Sequence, residues 1–282
     1  MCAMRSLIRA FGVFVSLALP AFAQIAPVTP APEILQISRD PVKPGKIAEY
    51  TKIEGEAAMA CYHANTWPYM TLQSITGPQE VWFVSGFDSY ASMEKSAEPF
   101  ARNSTLAADL GRLTEAKSNL VSDPNTVFLR YREDLSRNSG LMRTQTRFFT
   151  ITLVTVAHGH EREYEETQRI LRGARERASS PDNRVVYQVL SGMPEDVYLT
   201  FSPYHSFREA GAALDGLLDY DDLDDSVREK VNELTAASVV STKTLVFFIS
   251  PPMSNPEGEW IADDPEFWKT SPPLQRQPAG KK

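Results

Sequence analysis

The stretch LQSITGPQEVWF, residues 72–83, decides the fold, because it recurs about 115 residues later as YQVLSGMPEDVYL, residues 187–199. Each stretch contains a strand pattern, a short segment with Gly and Pro, and a second strand pattern. This combination is typical of a β-hairpin. The chain therefore contains an internal repeat, and the two hairpins occupy the middle of its two copies.

The segments around the hairpins repeat in the same order. Each copy opens with a strand, at residues 33–37 and 148–154, and continues into a helix with apolar residues at helical spacing. After each hairpin come a helical region, 89–117 or 206–238, and a closing strand, 126–131 or 244–249. Each copy thus has the order β-α-β-β-α-β of a ferredoxin-like unit. We expect an α+β protein with repeat 1 at residues 33–135 and repeat 2 at residues 145–250.

The closing strands indicate how the copies pack. A ferredoxin-like sheet carries helices on one face and leaves its other face bare, yet residues 245–249 are apolar on both faces. A second sheet supplies the missing cover. We therefore expect the two repeats to pack sheet to sheet as an intramolecular pseudo-dimer, either a sandwich or a barrel.

The element order and the duplication resemble those of the dimeric α/β-barrel superfamily over residues 33–250. This superfamily includes antibiotic-biosynthesis monooxygenases, NIPSNAP-like proteins, chlorite dismutases and dye-decolorising peroxidases. The resemblance implies that a small organic molecule or haem binds between sheet and helices. It rests on no catalytic motif, so it transfers no catalytic residue to this chain.

The N-terminal residues 1–23 have the three parts of a signal peptide. Arg5 and Arg9 form a basic start, residues 10–19 are apolar, and Ala21 and Ala23 form an A-x-A cleavage site. The apolar run is too short to span a bilayer, although an uncut N-terminal anchor remains an alternative. We predict a secreted or periplasmic protein that begins at Gln24. An extended leader at 24–32 and a Pro-rich C-terminal tail at 251–282 would flank the two repeats.

Charge and cysteine content exclude several classes of function. The formal net charge is −7, and loss of Arg5 and Arg9 would make it −9, which disfavours binding to nucleic acid or to an anionic membrane surface. Cys61 would be the one cysteine left, so no internal disulfide is expected. No later stretch is long and apolar enough to predict a transmembrane helix.

Two segments suggest a metal site without completing one. His158, His160 and Glu161 lie together, but zinc requires three or four protein ligands, so a polar loop is favoured over a surface metal site. An EF-hand loop requires Gly at its sixth position and Glu at its twelfth. In the acidic run at 215–225, counted from Asp219, these positions hold Asp224 and Lys230, so the run does not match an EF-hand. We predict no metal.

The segment that follows the first helix holds reactive side-chain types. Cys61 lies on the apolar stripe of the helix and is expected to pack as a small hydrophobic residue. His63, Asn65 and Trp67 match by type the residues that haem-degrading relatives use. Because they are bunched within five residues, they do not form that set. We predict no cofactor.

Aromatic residues are the remaining candidates for a binding site. The repeat alignment places Trp82 and Tyr198 at equivalent positions, Tyr187 and Gln188 on a neighbouring strand, and His205 at the mouth of a cavity. Aromatic bodies with polar tips suit a small apolar or aromatic ligand with one or two hydrogen-bonding groups. The alternative is that these aromatic residues are core.

Two functions follow from these observations. An exported, non-catalytic small-molecule-binding or scaffold protein is favoured, because no catalytic set is present. The alternative is a cofactor-independent monooxygenase-like enzyme that acts on a small organic substrate. In either case the chain is expected to be a monomer with pseudo-two-fold symmetry or a homo-oligomer.

The cleavage site can be tested with two neighbouring variants expressed in a secretion-competent host. Ala23→Leu places a large side chain where a small one is required, so we expect the uncut chain. Phe22→Leu alters the middle residue of the A-x-A site and should still give a protein that begins at Gln24. Intact-protein mass spectrometry distinguishes these products, and a wild-type chain that keeps residues 1–23 after export would contradict the prediction.

Overall fold

The computed structural model describes residues 27–137, 140–143, 145–177, 183–215 and 223–269. The first half contains β2 (Ile34–Pro41), α1 (Ile47–His63), β3 (Met70–Ser74), β4 (Glu80–Phe87), α2 (Tyr90–Ser96), α3 (Glu98–Arg102), α4 (Ser104–Lys117) and β5 (Asn125–Tyr131). The second half contains β7 (Phe148–Val156), α5 (Glu161–Arg177), β8 (Val185–Ser191), β9 (Val197–Tyr204), α6 (Phe207–Asp215), α7 (Asp225–Ser238) and β10 (Val239–Ile249). Outside the halves lie β1 (Pro27–Pro30), β6 (Gly140–Arg143), α8 (Gly258–Asp263) and α9 (Pro265–Trp268).

The strands of the two halves form one closed antiparallel barrel, in the order β10–β3–β4–β2–β5–β8–β9–β7 and back to β10. The mixed α+β class is therefore confirmed. When the strands of each half are numbered along the chain, they lie side by side in the order fourth, first, third, second. The halves join along two seams, β3 with β10 and β5 with β8, so none of the barrel strands has an unpaired edge.

Large apolar side chains fill the inside of the barrel. Strand β4 shows the alternation: Trp82 points into the barrel core, whereas Val81 and Phe83 pack beneath the helices of the first half. Burial of each such side chain stabilises the fold by about 1.5–3 kcal/mol. These two layers explain why some strands are apolar on both faces: one face lies in the barrel interior and the other lies beneath the helices. The fully buried aromatic residues of the interior are Trp82, Phe149, Tyr187, Phe201 and Phe247.

The hairpins correct one prediction. Trp82 faces the barrel interior, whereas Tyr198 faces α5 and packs on Tyr164, so these two residues are not equivalent. Leu72 pairs with Trp82 and the equivalent Tyr187 pairs with Leu199, so the second hairpin contains two residues more than the first between these positions. An alignment with one added residue places Tyr198 against Trp82, and an error of one residue moves a side chain to the other face of a strand. Leu199, which does face the interior, takes the place of Trp82.

The predicted helical regions are interrupted. Residues 89–117 form α2, α3 and α4, with Pro99 in the first turn of α3 and the Asn103 side chain accepting a hydrogen bond from the Leu106 amide to cap α4. Residues 206–238 form α6 and α7. Most of the acidic run falls at 216–222, outside the described residues.

The terminal segments are more regular than the sequence suggested. Residues 27–30 of the leader form β1, which pairs with β6. The Pro-rich tail contains two helices, α8 and α9, because Trp260 and Trp268 anchor them on the barrel core. The predicted signal peptide lies outside the described residues. None of the helices within the described ranges is long and apolar enough to cross a membrane.

Seam closure between β5 and β8 can be tested at Gly192. Its φ is +85°, and a Cβ there would collide with the Thr126 carbonyl oxygen across the seam. Gly159 has the same φ but open space around it. We expect Gly159→Ala to cost about 1–2 kcal/mol of unfolding free energy from backbone strain alone, and Gly192→Ala to cost roughly 1–3 kcal/mol more. Equal urea midpoints for the two variants would contradict this packing.

Candidate functional site

A cavity of about 290 Å³ lies between the outer face of the first-half sheet and helices α1 and α4. It exists because strand β2 alternates: Leu35 and Ile37 enter the barrel, whereas Gln36 and Ser38 point outward and leave space beneath the helices. The polar side chains in the lining are Gln36, Ser38, Glu54, Cys61, Tyr69, Ser85, Thr114 and Lys117. Apolar cover comes from Phe83, Leu110 and Leu113.

Two carboxylates and one ammonium group meet at this cavity. Lys117 Nζ lies 2.7 Å from Glu54 Oε1 and 3.0 Å from Asp40 Oδ2. The Tyr50 hydroxyl donates to Asp40 Oδ2 at 2.7 Å, so Asp40 has two donors. Both carboxylates are buried, with Glu54 only 5% exposed. With both acids ionised, the cluster would carry one uncompensated negative charge away from bulk water, which is unfavourable.

The electrostatics of the cluster single out Glu54 as the proton acceptor. Burial raises the pKa of Glu54 above its ordinary value, and although Lys117 opposes this, Asp40 adds to it. Burial disfavours the ammonium form of Lys117, yet the carboxylates of Glu54 and Asp40 outweigh burial and raise the pKa of Lys117. Lys117 therefore stays charged at neutral pH, while Glu54 is displaced toward the range in which general bases work.

Cys61 and Tyr69 form the other polar side of the cavity. Cys61 is buried, as predicted, and burial raises the pKa of its thiol, although hydrogen bonds to Thr66 and Tyr69 work in the opposite direction. Burial also raises the pKa of the Tyr69 hydroxyl. Both groups are therefore neutral near pH 7. Cys61 is a poor nucleophile in this state, because the thiolate is the reactive form.

One cluster in the same layer of the second half is packed with aromatic and aliphatic side chains. Tyr164 and Tyr198 stack with ring centroids 4.6 Å apart, next to Val154 and Val156. The Tyr198 hydroxyl donates to Glu165 Oε1 at 3.2 Å, and Glu165 is ion-paired with Arg132. Valine and tyrosine side chains thus fill the space between sheet and helix in this cluster.

The five residues predicted to bind a ligand are dispersed. Trp82 and Tyr187 lie inside the barrel, where Trp82 Nε1 donates to Glu80 Oε2 at 2.7 Å and the Tyr187 hydroxyl donates to the Pro32 carbonyl at 3.0 Å. The remaining three are elsewhere: Gln188 accepts from Arg132 Nη1 at 3.2 Å, Tyr198 is in the packed layer, and the His205 backbone amide donates to Glu209. None of the five lines the first-half cavity.

Sequence reasoning missed Glu54, Lys117 and Asp40. A signal for Glu54 was present: it lies four residues after Tyr50 and seven before Cys61, on the apolar stripe of α1. A carboxylate on the buried face of a helix requires a partner. The sequence did not show that the partner would be Lys117, at the end of α4.

In the structure, Asp196 joins His158 and Glu161 in one polar cluster. Asp196, which follows the second hairpin turn, brings Oδ2 to 3.4 Å from His158 Nδ1, and one ligand atom from each of these residues and Glu161 lies within 4.8 Å of the others. Histidine, glutamate and aspartate side chains therefore meet in this cluster, whereas the sequence indicated only histidine and glutamate. The His158 side chain is 94% exposed.

The remaining residues of the candidate haem set play structural roles. Trp67 Nε1 donates to the Gly86 carbonyl at 3.0 Å, and its ring stacks on Phe87. Asn65 has a φ of +50° in the turn after α1. His63 is exposed at the end of α1.

Comparison with known proteins identifies the fold. The sequence matches no protein-family model and no curated protein sequence. A putative monooxygenase from Fusobacterium nucleatum is 12% identical, covers 78% of this chain and 93% of its own, and has a TM-score of 0.50. A putative monooxygenase from Lactobacillus acidophilus is 9% identical, with coverages of 77% and 93% and a TM-score of 0.48.

A chlorite dismutase from Candidatus Nitrospira defluvii is 6% identical, with coverages of 79% and 92% and a TM-score of 0.46. At such identities the likeness concerns architecture alone. Together with the strand order, the Fusobacterium structure shows that this chain has the dimeric α+β-barrel fold.

The raised pKa of Glu54 predicts how stability changes with pH. A carboxyl group with a higher pKa in the folded state than its ordinary 4.5 keeps its proton longer when folded, so its contribution to stability is lost as pH rises above 4.5. We expect wild type to lose unfolding free energy relative to Glu54→Gln as pH increases from 4.5 toward neutrality. Urea denaturation at several pH values measures this difference.

Glu56→Gln is the matched control, since Glu56 lies on the same helix but is exposed. Its stability difference from wild type should stay nearly constant over the same pH range. If the Glu54→Gln difference is equally flat, the burial of Glu54 does not have the electrostatic consequence described above.

Proposed function

We propose that the first-half cavity is the active site of an enzyme that removes a proton from a small organic substrate. The observation that carries this proposal is the buried carboxylate of Glu54, 2.7 Å from Lys117, in the wall of a cavity of about 290 Å³. Buried carboxylates with raised pKa values, next to a fixed cation and an open space, are characteristic of acid–base sites.

Each group has a distinct part in the reaction. Glu54 accepts the proton and becomes neutral, which removes the excess negative charge of the cluster. The positive charge of Lys117 is then no longer neutralised by Glu54 and can stabilise the anion that forms on the substrate. The short side chains of Gln36, Ser38 and Ser85 offer hydrogen bonds to the substrate, while Phe83 covers its apolar part.

The substrate class follows from this arrangement. A carboxylate base requires a weakly acidic proton, as in a phenol, a quinol or a methylene group activated by a neighbouring carbonyl. Apolar cover by Leu110 and Leu113 suits an aromatic skeleton. The volume is at the lower end of the range for ligand pockets, which limits the substrate to one of modest size.

Monooxygenation without a cofactor is the reaction we assign to the site. The substrate carbanion gives electrons to O₂, one oxygen atom bonds to the carbon and the other leaves as water. An activated CH₂ group and O₂ thereby become C=O and H₂O, and the carbon is oxidised by four electrons. Deprotonation is the step that the protein assists, and the group Glu54–Lys117 assists it.

A non-catalytic binding protein is the second candidate, and one observation favours it. Lys117 is already held by two carboxylates, which is also the arrangement of a purely structural buried ion pair. Such a protein would bind the same class of molecule without turnover.

Two further parts of the proposal concern the relation between the halves and the location of the protein. We infer that the halves are tandem ferredoxin-like repeats related by a pseudo-two-fold axis, since both have the strand order fourth, first, third, second. We also infer that the protein acts outside the cytoplasm, because of the signal-peptide pattern in residues 1–23.

Oxygen uptake with anthrone, which has an activated CH₂ group, tests the assignment, and hydroquinone and catechol, which lack one, serve for comparison. Wild type should consume oxygen with anthrone faster than the spontaneous rate, and Glu54→Gln should lower kcat by a hundredfold or more, within the range of about 10² to 10⁴ for loss of a general base. Glu56→Gln should keep wild-type activity. Circular dichroism establishes that both variants are folded.

The two candidate functions give different results. Uptake that is unaffected by Glu54→Gln would overturn the active-site assignment. Calorimetric binding of these compounds without any oxygen consumption would favour the non-catalytic binding protein.

A further inference from the structure

A second cavity, of about 320 Å³, lies at one mouth of the barrel. Met70 and Val84 line it from the start of β3 and the end of β4, and both belong to the barrel core. Trp260 of α8 covers it from the C-terminal side. The cavity is separate from the proposed active site, since the two linings share no residue.

Two tryptophans give this cavity an aromatic wall. The Trp67 ring is held by its hydrogen bond to the Gly86 carbonyl and by stacking on Phe87, with 5.2 Å between ring centroids. Trp260 is buried and packs on Trp268 at 6.0 Å. Because these contacts fix both rings before any ligand arrives, binding would cost little side-chain entropy.

Two carboxylates line the same cavity. Asp88 follows β4 and Glu257 precedes α8. Within the described part of the chain, no lysine, arginine or histidine forms an ion pair with either residue. Burial raises the pKa of Glu257, and the negative charges of Glu259 and Asp88 raise it further. The site therefore has excess negative charge next to an apolar surface.

We propose that the barrel mouth binds a small organic cation, an aryl- or alkylammonium ion whose charge lies at Asp88 and Glu257 and whose apolar part contacts Trp67 and Trp260. Aromatic rings attract such cations in addition to the carboxylates. A bare divalent metal ion fits less well, since it needs six or more oxygen ligands or retained waters, and most of this lining is apolar.

The carboxylates and the aromatic wall of the cavity together exclude other ligand classes. An organic anion would be repelled by Asp88 and Glu257. A neutral apolar molecule would leave the charge of Glu257 uncompensated in a half-buried position, which is costly. An organic cation satisfies the carboxylates and the aromatic wall together.

Isothermal titration calorimetry with benzylammonium and benzyl alcohol tests the proposal, because the two probes share a skeleton and differ in charge. At pH 7 we expect benzylammonium to bind and benzyl alcohol to bind at least about tenfold more weakly. Glu257→Gln and Asp88→Asn should each weaken benzylammonium binding at least about tenfold. Glu259→Gln, two residues further along the chain and outside the lining, should weaken it much less.

Other results would overturn the proposal. These are the absence of benzylammonium binding, equal affinity for benzyl alcohol, or equal weakening by Glu259→Gln. Asp88 is exposed, so Asp88→Asn keeps the test decisive if Glu257→Gln does not fold. Glu54→Gln should not change benzylammonium binding, which separates this site from the proposed active site.

Discussion

Closure of the barrel along its two seams is the constraint on which the rest of the structure depends. Pairing of β3 with β10 and of β5 with β8 gives every barrel strand two neighbours and encloses the inner face. Inward side chains must then be apolar and large, whereas outward ones meet the helices. The outward positions of β2 can hold Gln36 and Ser38 only because stability is supplied from the other face. The first-half cavity is thus a consequence of closure combined with short polar side chains in one strand.

The two halves use the same architecture for different ends. In the second half Tyr164 and Tyr198 fill the layer between sheet and helix, and an ion pair of Arg132 with Glu165 completes it. In the first half the charged groups face a cavity instead. The proposed chemistry uses the cavity of the first half.

The sequence predicted the α+β class and the element order because hairpin turns and strand periodicity are local signals. It misassigned Tyr198, because the second hairpin is longer than the first by two residues and not by one, and an error of one residue moves a side chain to the other face of the strand. It also missed α8 and α9, since their stability comes from Trp260 and Trp268 packing on the barrel and not from helix propensity. The site was out of reach for a similar reason: Glu54 and Lys117 are 63 residues apart in sequence, and only the packing of α1 on α4 brings them together.

The central claim is that Glu54 is a buried base whose proton affinity is raised by its surroundings. Infrared difference spectroscopy of the carboxyl stretch during a pH titration measures that affinity directly. We expect a carboxyl group that loses its proton above the ordinary value of 4.5 and that is missing from the spectra of Glu54→Gln. Identical titrations of wild type and Glu54→Gln above pH 4.5 would contradict it.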